Sequence, residues 1–179
     1  KNIKTIKMEG GPLAIAISPD NQSVYVADWY EDSIFIIDTA SLSIRDKIKV
    51  GDSPSGIVVN PNNKFLYVAN RDENTIMTVS LTENKVVDTI DVGIAPFGLA
   101  LNLERNELYS ANVRSNNVSV INLGTKEITN IAVGSFPYAI EIDSASNRLF
   151  VTNQRSNSIS VISLSEMKTI ETIYVGEYP

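Results

Sequence analysis

Apolar positions along this chain come in short blocks rich in Val, Ile, Tyr and Thr, broken by clusters of Asn, Asp, Ser, Gly and Pro. No segment places its apolar residues at helical spacing, so each block reads as a strand and each cluster as a turn. One stretch shows the scheme. Strands are expected at Ser55–Val59, Phe65–Asn70, Thr75–Ser80 and Lys85–Val92, separated by turns such as Asn60-Pro61-Asn62-Asn63 and Arg71-Asp72-Glu73-Asn74. The first strand of each set is almost continuously apolar, as in Leu13-Ala14-Ile15-Ala16-Ile17, which fits a strand covered on both faces.

The blocks repeat. Pro12, Pro54, Pro96, Pro137 and Pro179 follow one another at steps of 42, 42, 41 and 42 residues. A glycine lies three residues before each of the last four, at Gly51, Gly93, Gly134 and Gly176, while Glu9 holds that place in the first copy. Tyr25-Val26-Ala27-Asp28, Tyr67-Val68-Ala69-Asn70, Tyr109-Ser110-Ala111-Asn112 and Phe150-Val151-Thr152-Asn153 keep the same period. So do Ile34-Phe35-Ile36-Ile37, Ile76-Met77-Thr78-Val79, Val118-Ser119-Val120-Ile121 and Ile159-Ser160-Val161-Ile162. Four strands in a period of about 40 residues is the signature of a propeller blade. The expected fold is therefore all-β: a β-propeller segment of four consecutive four-stranded antiparallel blades over residues 9–50, 51–92, 93–133 and 134–175. Ala14, Gly56, Gly98 and Ala139 would be the small residues that let inner strands crowd the axis.

Y-V-A-N, a Ser-Asn turn, S-V-I and a charged outer strand ending V-G-x-x-P together resemble the YVTN β-propeller repeat. Phe150-Val151-Thr152-Asn153 with Ser156-Asn157-Ser158-Ile159-Ser160-Val161-Ile162 is the nearest copy. The resemblance covers essentially the whole chain. It implies a ring of about seven blades with a binding surface at one end, in surface-layer-like or secreted proteins, and hence an extracytoplasmic location. Some members resemble propeller subunits of quinoprotein dehydrogenases. The shared residues build the blade and name no ligand.

The termini sharpen the expectation of a larger ring. Asn2–Met8 matches the outer strands Ile44–Val50 and Thr169–Val175, so it reads as the outer strand of a preceding blade, and Gly176–Pro179 as the start of a next one. Both ends then offer the same strand, which argues for a segment of a larger ring over a closed four-bladed one. On that reading Ile15 and Ile17, or Ile140 and Ile142, are expected to be more exposed than Ile57, Val59, Leu99 and Leu101. Missing blades or self-association would cover such flanks.

Composition narrows the chemistry. The 179 residues include no His and no Cys, which removes thiol nucleophiles, Ser–His–Asp triads, disulfides and imidazole or thiolate metal sites. No D-x-D-x-D-G loop is present for Ca²⁺. No catalytic set, metal site or cofactor is expected. The formal net charge of −6 argues against a nucleic-acid partner, and no apolar run reaches the length of about 20 residues needed for a membrane span.

Variation on a constant frame points to the turns between second and third strands and to the connections between blades. The turns carry Trp29-Tyr30-Glu31, Arg71-Asp72-Glu73, Val113-Arg114-Ser115 and Gln154-Arg155-Ser156. The connections supply Asp52, Phe97, Phe136, Tyr138 and Glu177. Trp29, Tyr30, Arg71, Asp72, Arg114, Phe136, Tyr138 and Arg155 are the candidate face for a protein, small-molecule or glycan ligand. Trp29, the only Trp, either anchors a partner or packs on the neighbouring turn. Glu141 stands where its siblings are Ala16, Val58 and Ala100, and must reach a wet channel or a basic partner. Asp28, Asn70, Asn112 and Asn153 are expected to bond their own turn backbone. Two function classes follow: a non-catalytic recognition or scaffold module of an exported or cell-surface protein, or the propeller part of an enzyme, a lyase or quinoprotein-type dehydrogenase, whose catalytic groups lie outside this chain.

Overall fold

The computed structural model describes residues 4–177 and 179. Among them are sixteen strands and one single-turn 3-10 helix, Gln154–Ser156. The chain divides into two compact units, residues 1–89 and 90–179.

The first unit holds two antiparallel sheets in sequential order. One is β1 (Pro12–Ile17), β2 (Ser23–Asp28), β3 (Ser33–Asp38) and β4 (Ser43–Lys49); the other is β5 (Pro54–Val59), β6 (Phe65–Asn70), β7 (Thr75–Ser80) and β8 (Lys85–Asp91). The second unit repeats the plan. Its sheets are β9 (Pro96–Asn102), β10 (Glu107–Asn112), β11 (Asn117–Asn122) and β12 (Ile128–Ala132), then β13 (Pro137–Asp143), β14 (Arg148–Asn153), β15 (Ser158–Ser163) and β16 (Lys168–Tyr174). Each first strand is a sheet edge and opens on a proline, the one place where a missing N–H costs no ladder bond. The register slips just after that proline, between Pro12 and Ala14, Pro54 and Ile57, and Pro137 and Ile140. Tight turns close the hairpins with a left-handed residue, usually Asn: Asn63, Asn74 and Asn84 in the second sheet, Asn106 and Asn116 in the third. Asn tolerates that conformation because its short amide bonds locally.

Apolar faces pair sheet to sheet within each unit. Tyr25, Ala27, Ile34, Ile36, Ile48 and Val50 of the first sheet meet Leu66, Val68 and Val79 of the second, with Ala14, Ile57 and Val59 packed against them. In the second unit Tyr109, Ala111, Val118, Val120 and Ile131 meet Ile140, Leu149, Val151, Ile162 and Leu164. Strand alternation thus gives each sheet one face toward its partner sheet in the same unit and one face away from it. That parity explains the exposures. Ile15 and Ile17 are 68% and 56% exposed, as expected for the first blade, whereas Ile57, Val59, Leu99 and Leu101 are half-buried. Ile140 is only 7% exposed and Ile142 half-buried, because they lie on the face turned toward the third sheet; Ala139, Glu141 and Asp143, on the opposite face, are the exposed residues of β13.

Two expectations need correction. Residues 4–8 form no strand; Ile6 and Met8 instead lie on Val26, Phe35 and Ile37, the free face of the first sheet. Asn2 and Ile3, like Tyr178 in the expected start of a next blade, lie outside the described residues. The buried polar residues that end β2, β6, β10 and β14 also behave differently from the expectation. Only Asp28 bonds its own turn, accepting from the N–H groups of Tyr30 and Glu31 and from Gly11. Asn70 donates across to Thr75, Asn112 to Asn117 and Ser119, and Asn153 to Ser158 and Ser160. Their amides lie flat under the connection glycines: a Cβ on Gly93 would sit 2.5 Å from Asn112 Nδ2, and one on Gly134 2.6 Å from Asn153 Cγ. In the first sheet Gly10, at φ 109°, takes that place over Asp28. Gly98 has a separate reason: a Cβ there would collide with the Tyr138 carbonyl on the adjoining inner strand.

Gly93→Ala is therefore expected to cost about 1–3 kcal/mol through overpacking. Combined with Asn112→Ala, the loss should be smaller than the sum of the two single losses, as read from urea unfolding of the four proteins.

A second prediction concerns pH. Tyr109 is fully buried, and burial, then its bond to Glu107, pushes its pKa well above the usual 10.0. A folded state that holds this proton more tightly than the unfolded one loses stability as pH rises past the unfolded value of about 10. Thermal melts of Tyr109→Phe should show a flatter alkaline limb than those of the parent protein.

Candidate recognition face

The turns between second and third strands are held to the connections by one recurring bond. The N–H of the first turn residue donates to a connection carbonyl: Trp29 to Gly11, Arg71 to Ser53, Val113 to Ala95 and Gln154 to Phe136. The next residue repeats it in three blades, Asp72 to Asp52, Arg114 to Ile94 and Arg155 to Ser135. A further clamp joins successive blades inside each unit. Asp32 Oδ1 accepts from the Ser53 N–H at 3.1 Å, and Asn116 Oδ1 from the Phe136 N–H at 3.0 Å. Burial opposes ionisation of Asp32, but that N–H and Lys49 outweigh it and hold the carboxyl below its usual pKa. The first two residues of each turn are thus fixed without their own side chains, while Ser115 and Ser156, third in their turns, accept from the Ile94 and Ser135 N–H groups.

Those side chains gather into one cluster per unit. In the first, Arg71 lies over the Trp29 ring at 5.4 Å and donates to Asp72 at 2.8 Å, while Ser53 Oγ donates to the other Asp72 oxygen at 2.7 Å. Trp29 is half-buried beneath this chain of contacts, so it packs on the neighbouring turn, and its exposed neighbour Tyr30 lays its ring over Gly11. In the second unit Arg155 stacks on Phe136 at 4.0 Å, and Tyr138 meets Phe97 edge-on at 4.9 Å. Phe136 holds φ 57°, a left-handed conformation that its siblings Ser53 and Ala95 share. The position imposes the backbone; a bulky aromatic there is unusual. Arg114 is exposed on its own turn and touches none of the other candidates.

Glu141 joins neither cluster. It is exposed on the free face of β13 and, among the described residues, has no basic partner. Two open depressions escaped the sequence reading. One of about 320 Å³ is lined by Gln154, Arg155, Asn157 and Glu177. The other, of about 560 Å³, lies between Lys64, Phe65, Ser80, Thr82, Glu83 and Val87 at the opposite ends of β6 and β7. The first is lined by Gln154, Arg155 and Glu177, residues of the variable turn and connection, whereas the residues of the second individually read as ordinary hairpin surface. Among the described residues no group of three acidic side chains is placed to hold a metal ion, and no helix is long and apolar enough to cross a membrane.

The repeat geometry finds its counterpart in known proteins. Residues 37–132, more than half of the chain, match the model of the family described as lactonase, 7-bladed β-propeller. The chain belongs to that family. The family's ring has seven blades by description, and this chain carries four of them. A comparison with curated proteins finds no match. Among solved structures, hydrazine synthase of Kuenenia stuttgartiensis superposes with a TM-score of 0.86 at 22% identity, over 98% of this chain and 52% of that one. A functionally unknown protein of Desulfotomaculum acetoxidans gives 0.83 at 17%, over 97% and 59%. The structure titled U3-55K gives 0.83 at 16%, over 94% and 53%. At these identities the likeness shows the propeller fold alone, and the chain spans a little over half the length of each.

The Trp29–Arg71 stack gives a direct optical test. Arg71→Ala should shift the emission of this lone tryptophan to longer wavelength, while lowering stability by no more than about 1 kcal/mol, the size of an exposed cation–π contact.

Proposed function

We propose that this part of the lactonase-type propeller is a non-catalytic recognition or scaffold module that binds a partner through its turns and connections. One observation carries the reading. The framework residues repeat from blade to blade while the residues placed on it differ, and the first two residues of each turn are held to the connection by backbone bonds that their own side chains do not make. Phe136 supports it, since an aromatic side chain kept at a left-handed position costs backbone strain that packing does not call for. An exported or cell-surface setting follows from the likeness of the repeats to the YVTN pattern.

The family description favours one alternative, an enzyme whose remaining blades bring the catalytic groups. Lactone hydrolysis needs a general base or an activated water, and the chain has neither His nor Cys to supply the first near neutral pH. Purified chain incubated with simple γ- and δ-lactones should therefore release acid no faster than buffer. Turnover that scales with protein concentration, and that falls on substitution of one of its own carboxylates, would replace the recognition reading with the enzymatic one.

A further inference from the structure

The charges on the turns are sorted by unit. In the first unit the turns read Trp29-Tyr30-Glu31-Asp32 and Arg71-Asp72-Glu73-Asn74, four acids against one base. Every basic group there is engaged: Lys47 on Glu31, Lys49 on Asp32 and Arg71 on Asp72, at 2.7, 3.0 and 2.8 Å. In the second unit the same turns read Val113-Arg114-Ser115-Asn116 and Gln154-Arg155-Ser156-Asn157, two bases and no acid. Arg114 and Arg155 occupy the same place in consecutive blades, fixed by the same bond to a connection carbonyl at 3.1 Å. Both are exposed, and neither has a carboxylate partner among the described residues. Arg105, elsewhere in this unit, is paired with Glu107 at 2.7 Å.

Two unpaired guanidiniums on adjacent turns of a chain with net charge −6 are a local reversal of the molecule's field. We propose that the Arg114 and Arg155 turns bind an acidic peptide segment, a refinement that rests on the recognition reading above. A guanidinium offers a planar fork of donors to a carboxylate, and Phe136 under Arg155 keeps that fork oriented without neutralising it. The arginines stand on two separate blades, and the depression beside Arg155 is open. A ligand that serves both must present carboxylates at intervals along an extended chain, as an Asp- and Glu-rich segment does. Glu177, which lines the same depression, opposes such a ligand and so tunes the affinity downward.

The probe is octaglutamate, titrated calorimetrically against the 179-residue protein at low ionic strength. The protein's net charge repels a polyanion, so measurable binding requires a local site. Arg114→Gln and Arg155→Gln should each weaken binding about two- to fivefold, the range of exposed charge pairs. The double variant should abolish binding, and Glu177→Gln should tighten it. Lys64→Gln, the same charge change in the other unit, should leave binding unchanged, and melting curves of all variants should match the parent. No binding of octaglutamate, or equal loss in Lys64→Gln, overturns the proposal. So does binding of polygalacturonate in preference to octaglutamate, which would make the ligand an acidic glycan. The broader recognition reading falls only if exchanging turn residues alters binding of no ligand class tested.

Discussion

The polar side chain that ends each second strand is the part on which the blades depend. Asn70, Asn112 and Asn153 are fully buried, and a buried amide must find partners or cost the fold about 1–3 kcal/mol. Their Nδ2 groups find them across the sheet in Thr75, in Asn117 and Ser119, and in Ser158 and Ser160, which ties the second strand to the third through side chains as well as the ladder. Asn112 Oδ1 accepts from Ser110, while Oδ1 of Asn70 and of Asn153 has no partner among the described residues. Their flat faces then accept only glycine from the connection above. Asn and Gly are thus one device in two parts, 19 residues apart in every copy from Gly51 to Asn153. The first blade shows that the device tolerates a change of chemistry. Asp28 replaces the amide, takes three backbone N–H groups on one oxygen, and moves the glycine contact by one residue to Gly10.

With the connection seated there, the first two residues of the turn beside it need nothing from their side chains. Backbone bonds hold it to the connection, and Asp32 or Asn116 holds it to the connection of the next blade. This leaves the first two residues of each turn free to change. In the first unit they include Arg71 and Asp72, which pair with each other, and in the second Arg114 and Arg155, which have no carboxylate partner among the described residues.

Most of the frame was legible in the sequence because it repeats. Strands such as Phe65–Asn70 and Thr75–Ser80 fall where the pattern puts them, since apolar alternation and Asn-rich turns agree there. The failures share a cause: they depend on which neighbour a residue meets. Of the two pairs offered as an exposed flank, Ile15 and Ile17 are the exposed one, because parity turns Ile140 toward the third sheet. Residues 4–8 match an outer strand in sequence, but Ile6 and Met8 lie as apolar cover on Val26, Phe35 and Ile37. For the candidate face, variation between repeats singled out residues on the turns and connections, but their grouping depends on reach across turns. The sequence contains nothing that says Arg71 covers Trp29 or that Phe136 carries Arg155.

The claim that frame and specificity are separable has a single decisive measurement. Replacing Gln154-Arg155 by Arg-Asp, the first two residues of the second blade's turn, changes the two variable side chains that make no bond to the connection and leaves the bond from the Ser135 N–H to Ser156 Oγ in place. The account predicts an unfolding free energy within about 1 kcal/mol of the parent, as for surface substitutions away from caps and cores. Loss of cooperative unfolding, or a decrease of several kcal/mol, would mean that the turn side chains hold the blade together and would contradict the account.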